Sequence, residues 1–276
     1  MGVAVIGVGS FIAAALRARP ETAAWRFVSH TEALAGDAWL AGLDVVINCA
    51  FDARLKREPY DPAHDVDLVL AAMLGQRAAV RYVMLSSRMA YGPAGPDGRL
   101  DENREPRPVH PYGIAKLETE RRLAALLGER LTVLRLSNVF GYELMAGRAN
   151  FFAMALRGLH EQGRIVFDMS PFVERDFLPV ESLAEQLPRV VGRLRAGLYN
   201  LGAGTAIPTG RIAQWLIEGY GEGELLVTRM REHDGFWLDI SAAQAAFGIA
   251  GVDPAQVRAN CVALGQRLRA EAEVGR

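Results

Sequence analysis

The chain has 276 residues, half of them hydrophobic, which is enough for a substantial core in one large or two small domains. Its 31 basic and 32 acidic residues nearly cancel and form no long run of one sign, so the charge pattern argues against nucleic acid or an anionic membrane as a partner. Two cysteines, no membrane-length apolar run and no secretory leader lead us to expect a cytoplasmic, reduced protein without a metal site.

Short apolar runs alternate with helix-like segments through the first half of the chain. The strand candidates are residues 3–7, 25–29, 43–50, 81–87 and 131–137. The helix candidates between them are residues 11–19, 65–76 and 111–128. Nearly continuous apolar strands alternating with helices indicate a doubly wound parallel α/β sheet, Rossmann-like and covered on both faces. The interval between the second and third strands holds only a small helix, so we expect one edge of the sheet to be trimmed.

The glycine-rich turn "GVGSFIA" joins the first strand to the first helix. It fits a GxxGxxG pattern with small residues at Gly7, Ser10 and Ala13 better than a GxGxxG pattern, which would put Ile12 in the third place. A tight turn and a small residue where helix meets strand let the backbone approach a pyrophosphate. An ordinary strand-to-helix turn has the same pattern, and only the position of the motif favours cofactor binding.

The segment "YGIAK" places Tyr112 and Lys116 on one helix face, because residues four apart lie one above the other. A free phenol has a pKa of about 10, and a fixed positive charge beside it lowers that value towards neutral pH. Ser86 and Ser87 end the strand 81–87, where parallel sheets place their ligands. A solvated helix face is the ordinary explanation for this spacing, but the glycine-rich turn and the serines together favour a catalytic pair.

After about residue 140 the alternation loosens. Residues 150–163, 207–219 and 253–273 resemble helices, and residues 164–167 and 175–180 resemble short strands. We therefore expect a smaller C-terminal α/β cap packed over one end of the sheet.

Taken together, these features make the chain similar to the extended short-chain dehydrogenase/reductase family, whose members include NAD(P)-dependent nucleotide-sugar epimerases, dehydratases and ketoreductases. The segments that carry the resemblance are "LDVVINCA", "RYVMLSSRMAYG", "HPYGIAKLETE", "LRLSNVFG", "VERDFLPVESLA", "LYNLGAG" and "REHDGFWLDISAAQAAFGI". The resemblance runs from residue 3 to about residue 269. It implies a dinucleotide-binding domain over residues 1–145, with returning segments near 175–205, and a mainly substrate-binding cap over residues 146–276.

The resemblance also implies roles for individual residues. Tyr112 is the general acid/base, Lys116 holds the nicotinamide ribose and tunes Tyr112, and Ser87, four residues before Tyr91, polarises the reacting oxygen. The implied cofactor-binding residues are Gly7, Gly9, Ser10, Phe11, Ile12, Ser29, His30, Cys49, Ala50, Tyr112, Lys116 and Leu136. The implied substrate-binding residues are Ser87, Arg88, Asn138, Asn150, Arg175 and Arg231.

Two arginines of this set, Arg175 and Arg231, suit a diphosphate, which guanidinium groups grip in a bidentate way. Taken singly, each arginine is better explained by an ion pair with a nearby carboxylate such as Asp176 or Asp234.

The second strand ends in "VSHTE", where NAD-preferring relatives carry an acidic residue that binds the adenosine ribose. Its absence favours NADP(H), with NAD(H) as the alternative. The candidate contacts to a 2′-phosphate are Arg17, Ser29, His30 and Thr31. For His30, a partly exposed loop histidine is an equally good interpretation.

Our leading hypothesis is a ketoreductase that reduces a keto group, at C4, of a nucleotide-activated sugar. The first alternative is a nucleotide-sugar 4-epimerase with retained NAD, which would use the same residues. Arg88 and Met89 stand where dehydratases carry Asp-Glu, which argues against dehydration. A non-catalytic dinucleotide sensor would not need Ser87, Tyr112 and Lys116 together. Surplus apolar residues on helices 65–76 and 111–128, which pair across a two-fold axis in the family, predict a homodimer.

Overall fold

The computed structural model describes residues 1–75, 79–143 and 150–274. The strands are β1 (Val3–Ile6), β2 (Arg26–Val28), β3 (Val45–Asn48), β4 (Arg81–Ser87), β5 (Arg99–Leu100), β6 (Leu131–Leu136), β7 (Asn138–Phe140), β8 (Arg164–Phe167), β9 (Glu174–Arg175), β10 (Phe177–Pro179), β11 (Gly197–Leu201), β12 (Ile207–Pro208), β13 (Glu224–Val227) and β14 (Trp237–Leu238). The helices are α1 (Phe11–Arg17), α2 (His30–Ala35), α3 (Val66–Leu74), α4 (Pro111–Leu127), α5 (Phe151–Gln162), α6 (Val180–Gly192), α7 (Thr209–Tyr220), α8 (Ser241–Phe247) and α9 (Pro254–Val274). Short 3₁₀ turns at Ala53–Lys56 and Arg88–Ala90 follow β3 and β4.

A six-stranded parallel sheet forms the larger part of the fold, in the order β11-β6-β4-β3-β1-β2. The chain runs from β1 outwards to β2 and then crosses back to β3 on the other side of β1. Such a switch point leaves a crevice beyond the carboxyl ends of the two inner strands, where open α/β sheets bind ligands. The short helix α2 connects β2 to β3, and the sheet ends at β2, which confirms the trimmed edge.

Alternate residues of the central strands face opposite sides of the sheet, and each side is covered by helices. Val3, Val5 and their equivalents pack under α1 and α6 in one buried cluster. Ala4, Ile6 and their equivalents pack under α3 and α4 in a second cluster. Burial on both faces explains why these strands have nearly continuous apolar sequences, and the predicted doubly wound sheet is confirmed.

The smaller C-terminal part is built from two-stranded sheets and helices. Strand β8 pairs with β13, β9 with β12 and β10 with β7. Helices α5, α7 and α9 pack against one another beside them. Strand β14 pairs with β5, which ties the segment after β4 to this cap.

Most predicted elements occur within two residues of the expected bounds, and the differences have local causes. The predicted helix 11–19 ends at Arg17, because Pro20 restricts Arg19 to an extended conformation. The predicted strand 43–50 ends at Asn48, whose side chain accepts the N–H of Ala50 at 2.9 Å and closes a turn. The predicted strand 175–180 is divided into β9 and β10 at Asp176.

Two predicted bounds cannot be compared with the structure. The end of the predicted helix 65–76 and the domain boundary at residues 145–146 lie outside the described residues. Strand β11, which includes the first part of "LYNLGAG", is the sixth strand of the main sheet. No helix in the described part of the chain combines the length and apolar character that a membrane crossing needs.

Candidate active site

A cleft of about 670 Å³ lies at the switch point of the sheet. It is lined by the glycine-rich turn after β1, by His30 at the start of α2 and by residues 49–54 after β3. Cys49 and Ala50, two of the cofactor-binding residues implied by the resemblance, lie beside the glycine-rich turn. The cleft occupies the crevice that the strand order creates, which is the position where this class of sheet binds nucleotides.

The glycine-rich turn fits the backbone of a dinucleotide. Gly7 has a φ of +90°, and a Cβ there would lie 2.8 Å from the backbone nitrogen of Ala50, so only glycine is accommodated. Gly9 has no atom within 4 Å of an added Cβ, which leaves open space above the turn. Ser10 caps α1 by accepting the N–H of Ala13 at 3.1 Å, and Ala13 is fully buried against the sheet. These residues supply the tight turn, open backbone and small helix contact that a pyrophosphate site requires.

Three other implied cofactor-binding residues lie next to this turn or farther across the sheet. Phe11 and Ile12 are half-buried in the first turn of α1. Leu136 ends β6 opposite Ser87 in the sheet register and is buried.

The end of β2 presents no carboxylate in line with the strand. Ser29 caps α2 by accepting the N–H of Glu32 at 3.1 Å, so its hydroxyl oxygen is already engaged. His30 lines the cleft, and Thr31 is exposed beside it. The guanidinium of Arg17 donates to the carbonyl of Val8 at 3.3 Å, which holds it next to the glycine-rich turn.

The two serines that end β4 have different environments. Ser86 is buried, and its hydroxyl donates to Glu120, which in turn forms a buried bidentate pair with Arg135 at 3.0 and 2.6 Å. Ser87 is half-buried, and its oxygen accepts the N–H of Met89 at 3.2 Å, which leaves its hydroxyl hydrogen without an acceptor in the part of the chain that the structure describes. The geometry therefore favours Ser87 as the residue that can act on a ligand.

This difference leads to a paired prediction. Ser87→Ala should lower turnover about 10²- to 10³-fold, which is the usual effect of removing an oxyanion donor. Its free energy of unfolding should change by less than about 1 kcal/mol. Ser86→Ala should lower the free energy of unfolding by about 1.5–3 kcal/mol, because Glu120 loses a buried donor. Steady-state kinetics and urea unfolding of both variants check this, and the reverse pattern would assign the function to Ser86.

Tyr112 and Lys116 share one face of α4, and both contact Phe51. The Lys116 ammonium is buried, donates to the carbonyl of Leu85 at 2.9 Å and lies 4.6 Å from the centre of the Phe51 ring. The half-buried ring of Tyr112 meets the Phe51 ring edge-on, with 5.1 Å between centres. The ammonium of Lys56 lies 5.9 Å from the centre of the Tyr112 ring. Lys116 is thus buried and Tyr112 half-buried, and both contact Phe51, which lines the cleft.

Gly113 brings this pair close to residues 86–90, which hold the two serines and the turn after them and are called the serine segment below. A Cβ at Gly113 would lie 2.2 Å from the carbonyl oxygen of Met89, so α4 packs directly on the Arg88–Ala90 turn. This close contact places Tyr112 beside the segment that carries Ser87.

Two of the implied substrate-binding residues, Arg88 and Arg175, meet at Asp234. Arg88 pairs with the carboxylate of Asp234 at 3.1 Å and lies over the ring of Phe236 at 4.0 Å. Arg175 donates from Nε to the backbone carbonyl of Asp234 at 3.3 Å. Burial lowers the pKa of Arg88 to about 10, against the opposing effect of Asp234. Asp234, one of the two carboxylates suggested by the sequence, therefore contacts both arginines.

Asp176, the other suggested partner, has a structural role. It is fully buried and accepts backbone N–H groups from Ala203, Gly204 and Leu238 at 2.8–3.2 Å. Burial raises its pKa to about 6. The carboxylate thus ties the end of β11 to β14 and makes no ion pair with Arg175.

Three predicted substrate residues have other contacts in the structure. Arg231 is exposed and pairs with Asp168 at 3.6 Å. Asn150 caps α5 by accepting the N–H of Ala153 at 2.8 Å and donates to Glu143 at 3.0 Å. Asn138 opens β7 and lies next to β10. The structure therefore brings Arg88 and Arg175 together near Ser87 and gives Asn150 and Arg231 different partners.

Phe51 and Lys56 were missed at the sequence level. Both follow β3, and residues beyond the carboxyl end of a strand at a switch point are expected to line the ligand cleft. Their position after β3 could therefore have identified them as candidates for the cleft.

Across residues 1–75, 79–143 and 150–274, no group of three His, Cys, Asp or Glu side chains is arranged to hold a metal ion.

Comparisons with known proteins identify solved structures of the same fold. No curated protein sequence gives a significant match. Among solved structures, RMD of Pseudomonas aeruginosa in complex with NADPH has a TM-score of 0.81 at 20% identity, covering 98% of this chain and 100% of that one. UDP-glucose 4-epimerase of Thermotoga maritima with UDP-glucose has a TM-score of 0.80 at 19% identity, covering 97% and 99%. UDP-N-acetylglucosamine 4-epimerase of Methanobrevibacter ruminantium M1 with UDP-N-acetylmuramic acid has a TM-score of 0.81 at 16% identity, covering 98% of each chain.

These structural neighbours share the fold. A sequence model described as the NAD dependent epimerase/dehydratase family matches residues 1–202, well over half of the chain. The protein therefore belongs to the NAD-dependent epimerase/dehydratase family, within the extended short-chain dehydrogenase/reductases.

Proposed function

We propose that this protein is an NAD(P)-dependent ketoreductase that reduces a keto group, at C4, of a nucleotide-activated sugar. The observation that carries the proposal is the placement of Tyr112 and Lys116 beside the serine segment, next to a cleft whose glycine-rich turn fits a dinucleotide. In the family this arrangement belongs to oxidoreductive chemistry on a sugar carbon.

Tyr112, Ser87 and Lys116 have different tasks in this reaction. Tyr112 donates the proton to the reacting oxygen, and its hydroxyl makes no hydrogen bond to another described residue that would compete. Ser87 donates its free hydroxyl hydrogen to the same oxygen as negative charge develops. Lys116 supplies a fixed positive charge behind the phenol and binds the cofactor ribose. The bound dinucleotide supplies the hydride.

The substrate proposal rests on the charge around Asp234. Arg88 pairs with the carboxylate of Asp234 and Arg175 donates to its backbone carbonyl, so two guanidinium groups lie beside a single carboxylate and the group carries a surplus positive charge. The Nε of Arg88 is buried without a hydrogen-bond partner among the described residues. A diphosphate would satisfy both features, because guanidinium groups bind phosphate oxygens in a bidentate way.

For the cofactor we propose NADP(H), with NAD(H) as the alternative. The strand β2 is followed by Ser29 and His30, so no carboxylate occupies the place that would repel a 2′-phosphate. Arg17, held beside the glycine-rich turn, supplies a nearby positive charge. The Pseudomonas neighbour is described in complex with NADPH, and other neighbours are described with NAD.

The second candidate function is a nucleotide-sugar 4-epimerase, which would oxidise and reduce the same carbon with the same residues. To separate the two, the purified protein is denatured and any released dinucleotide is identified. The ketoreductase should release none and should oxidise added NADPH in the presence of a 4-keto nucleotide sugar. Stoichiometric NAD in the released fraction, with no net oxidation of NADPH, would contradict the reductase and support the epimerase.

We also propose a homodimer, together with the domain division given by the family resemblance. Val69 on α3 and Ile114 and Leu126 on α4 are exposed apolar side chains on two helices that pack side by side. Burying them against a second copy removes apolar surface from water. Sedimentation at micromolar concentration should give twice the mass of 30.1 kDa, and a monomer would overturn this proposal.

A further inference from the structure

A buried carboxylate, that of Asp67 on α3, faces the ammonium of Lys116. Its Oδ2 lies 4.0 Å from the Lys116 Nζ, and both side chains are only 5% exposed. Among the described residues the ammonium also contacts the Leu85 carbonyl and the Phe51 ring. Lys116 is therefore part of a buried ion pair on the side of the cofactor cleft.

The position of this carboxylate is fixed by two strands of the sheet. Its Oδ1 accepts hydrogen bonds from Nδ2 of Asn48 on β3 at 2.8 Å and from the hydroxyl of Tyr82 on β4 at 2.7 Å. Burial raises the pKa of Asp67, while Lys116 and the two donors favour its ionised form. Placing a carboxylate here costs desolvation energy, so its presence calls for a role beyond packing.

Capping of α3 does not provide that role. Asp65, two residues earlier, already caps the helix by accepting the N–H groups of Asp67 at 3.1 Å and Leu68 at 3.4 Å. Asp65 is also buried, but its other oxygen is held by Tyr60 at 2.8 Å and by Thr119. The two carboxylates are thus near neighbours, and only Asp67 forms an ion pair with Lys116 in the described structure.

We propose that Asp67 is a positioning residue that holds the Lys116 ammonium and offsets part of the positive field that Lys116 exerts on Tyr112. This inference rests on the proposed function, because it assigns Asp67 a role in setting the pH range of that reaction. A negative charge behind Lys116 disfavours the phenolate form of Tyr112. Removing the charge should therefore shift the pH–rate profile to lower pH.

The other charged and titratable groups around the pair are accounted for. On the 3₁₀ turn before α3, Arg54 pairs with Asp52, and Lys56 lies over the Tyr112 ring. On α4 and β6, Glu120 and Arg135 pair with each other. The remaining neighbours are Asp65, Tyr82 and Cys49, together with Arg88, which pairs with Asp234. Of these, Tyr82 bonds directly to Asp67, and the amide oxygen of the Asp67→Asn variant can still accept that hydrogen bond.

The test measures the pH–rate profile of the full-length Asp67→Asn variant against the wild type. The relevant midpoint of the wild-type pH–rate profile is the one that is absent from the Tyr112→Phe variant. In Asp67→Asn this midpoint should move to lower pH by about one unit. Asp67→Glu, which restores the charge, should return it towards the wild-type value. If Asp67→Asn does not fold, Asp67→Ser removes the same charge in a smaller side chain.

Asp65→Asn is the matched control, since it alters a buried carboxylate at the same helix start. It should lower stability without moving the midpoint. An unchanged midpoint in the Asp67 variants, or an equal shift in Asp65→Asn, would overturn the inference while leaving the proposed function intact. If Tyr112→Phe keeps full activity in the otherwise wild-type protein, the proposed function itself fails.

Discussion

Tyr112→Phe is expected to lower turnover by about 10²- to 10⁴-fold, the range for loss of a general acid. The variant keeps the aromatic ring, so the edge-on contact with Phe51 and the packing of α4 remain. Only the hydroxyl that donates the proton is removed. The measurement is steady-state turnover with a keto nucleotide sugar and NADPH, accompanied by the unfolding temperature of the variant.

Tyr199→Phe is a suitable control for this prediction. It also removes one hydroxyl, which donates to the Ala196 carbonyl at 3.1 Å on the edge strand β11. Its turnover should match that of the wild type. Unchanged activity of Tyr112→Phe on every substrate tested would rule out the mechanism proposed above.

Gly113→Ala is expected to impair both folding and turnover. The added Cβ would lie 2.2 Å from the Met89 carbonyl oxygen, and this backbone atom cannot move aside cheaply. We expect the free energy of unfolding to fall by roughly 1–3 kcal/mol, although alanine is the better helix former. Turnover should fall by about 10²-fold, because α4 must shift by about 1 Å and carry Tyr112 away from the Ser87 segment.

Gly192→Ala provides the comparison for this effect. Gly192 ends α6, and an added Cβ there meets no atom within 4 Å. The substitution should leave turnover unchanged and alter the free energy of unfolding by less than about 1 kcal/mol, in the stabilising direction. Urea unfolding and kinetics of both variants distinguish close packing at Gly113 from a general effect of replacing glycine, which equal losses in the two would indicate.

The main sheet was predictable because burial on both faces leaves a local signal in the sequence. The strand 81–87 and the helix starting at residue 111 were predicted at their observed positions. The two-residue strands β5 and β14 were not predicted, since so short a segment has no periodicity. Strand β11 contains Asn200, whose amide donates to Leu100 and Asp239 far away in the sequence. Because the hydrogen-bond partners of this buried polar residue are distant in the sequence, no local pattern predicts the strand.

Part of the candidate site could likewise be predicted from the sequence, and part could not. Tyr112, Lys116 and Ser87 could be proposed from motifs, because each motif lies within one helix or one strand. The Asp67–Lys116 pair joins two helices, and the meeting of Arg88 with Arg175 at Asp234 joins the sheet to the cap. Contacts between residues so distant in the chain have no local pattern. Asp176, suggested together with Asp234 as a partner for an arginine, is instead committed by burial to backbone N–H groups, whereas Asp234 contacts Arg175.

The most direct test of the account is a crystal structure of the protein with a bound dinucleotide. We expect the pyrophosphate to lie over Gly7 and Gly9 and the nicotinamide end to reach Tyr112 and Lys116. A dinucleotide bound elsewhere, or a phenol and an ammonium turned into solvent with no cofactor contact, would contradict the account.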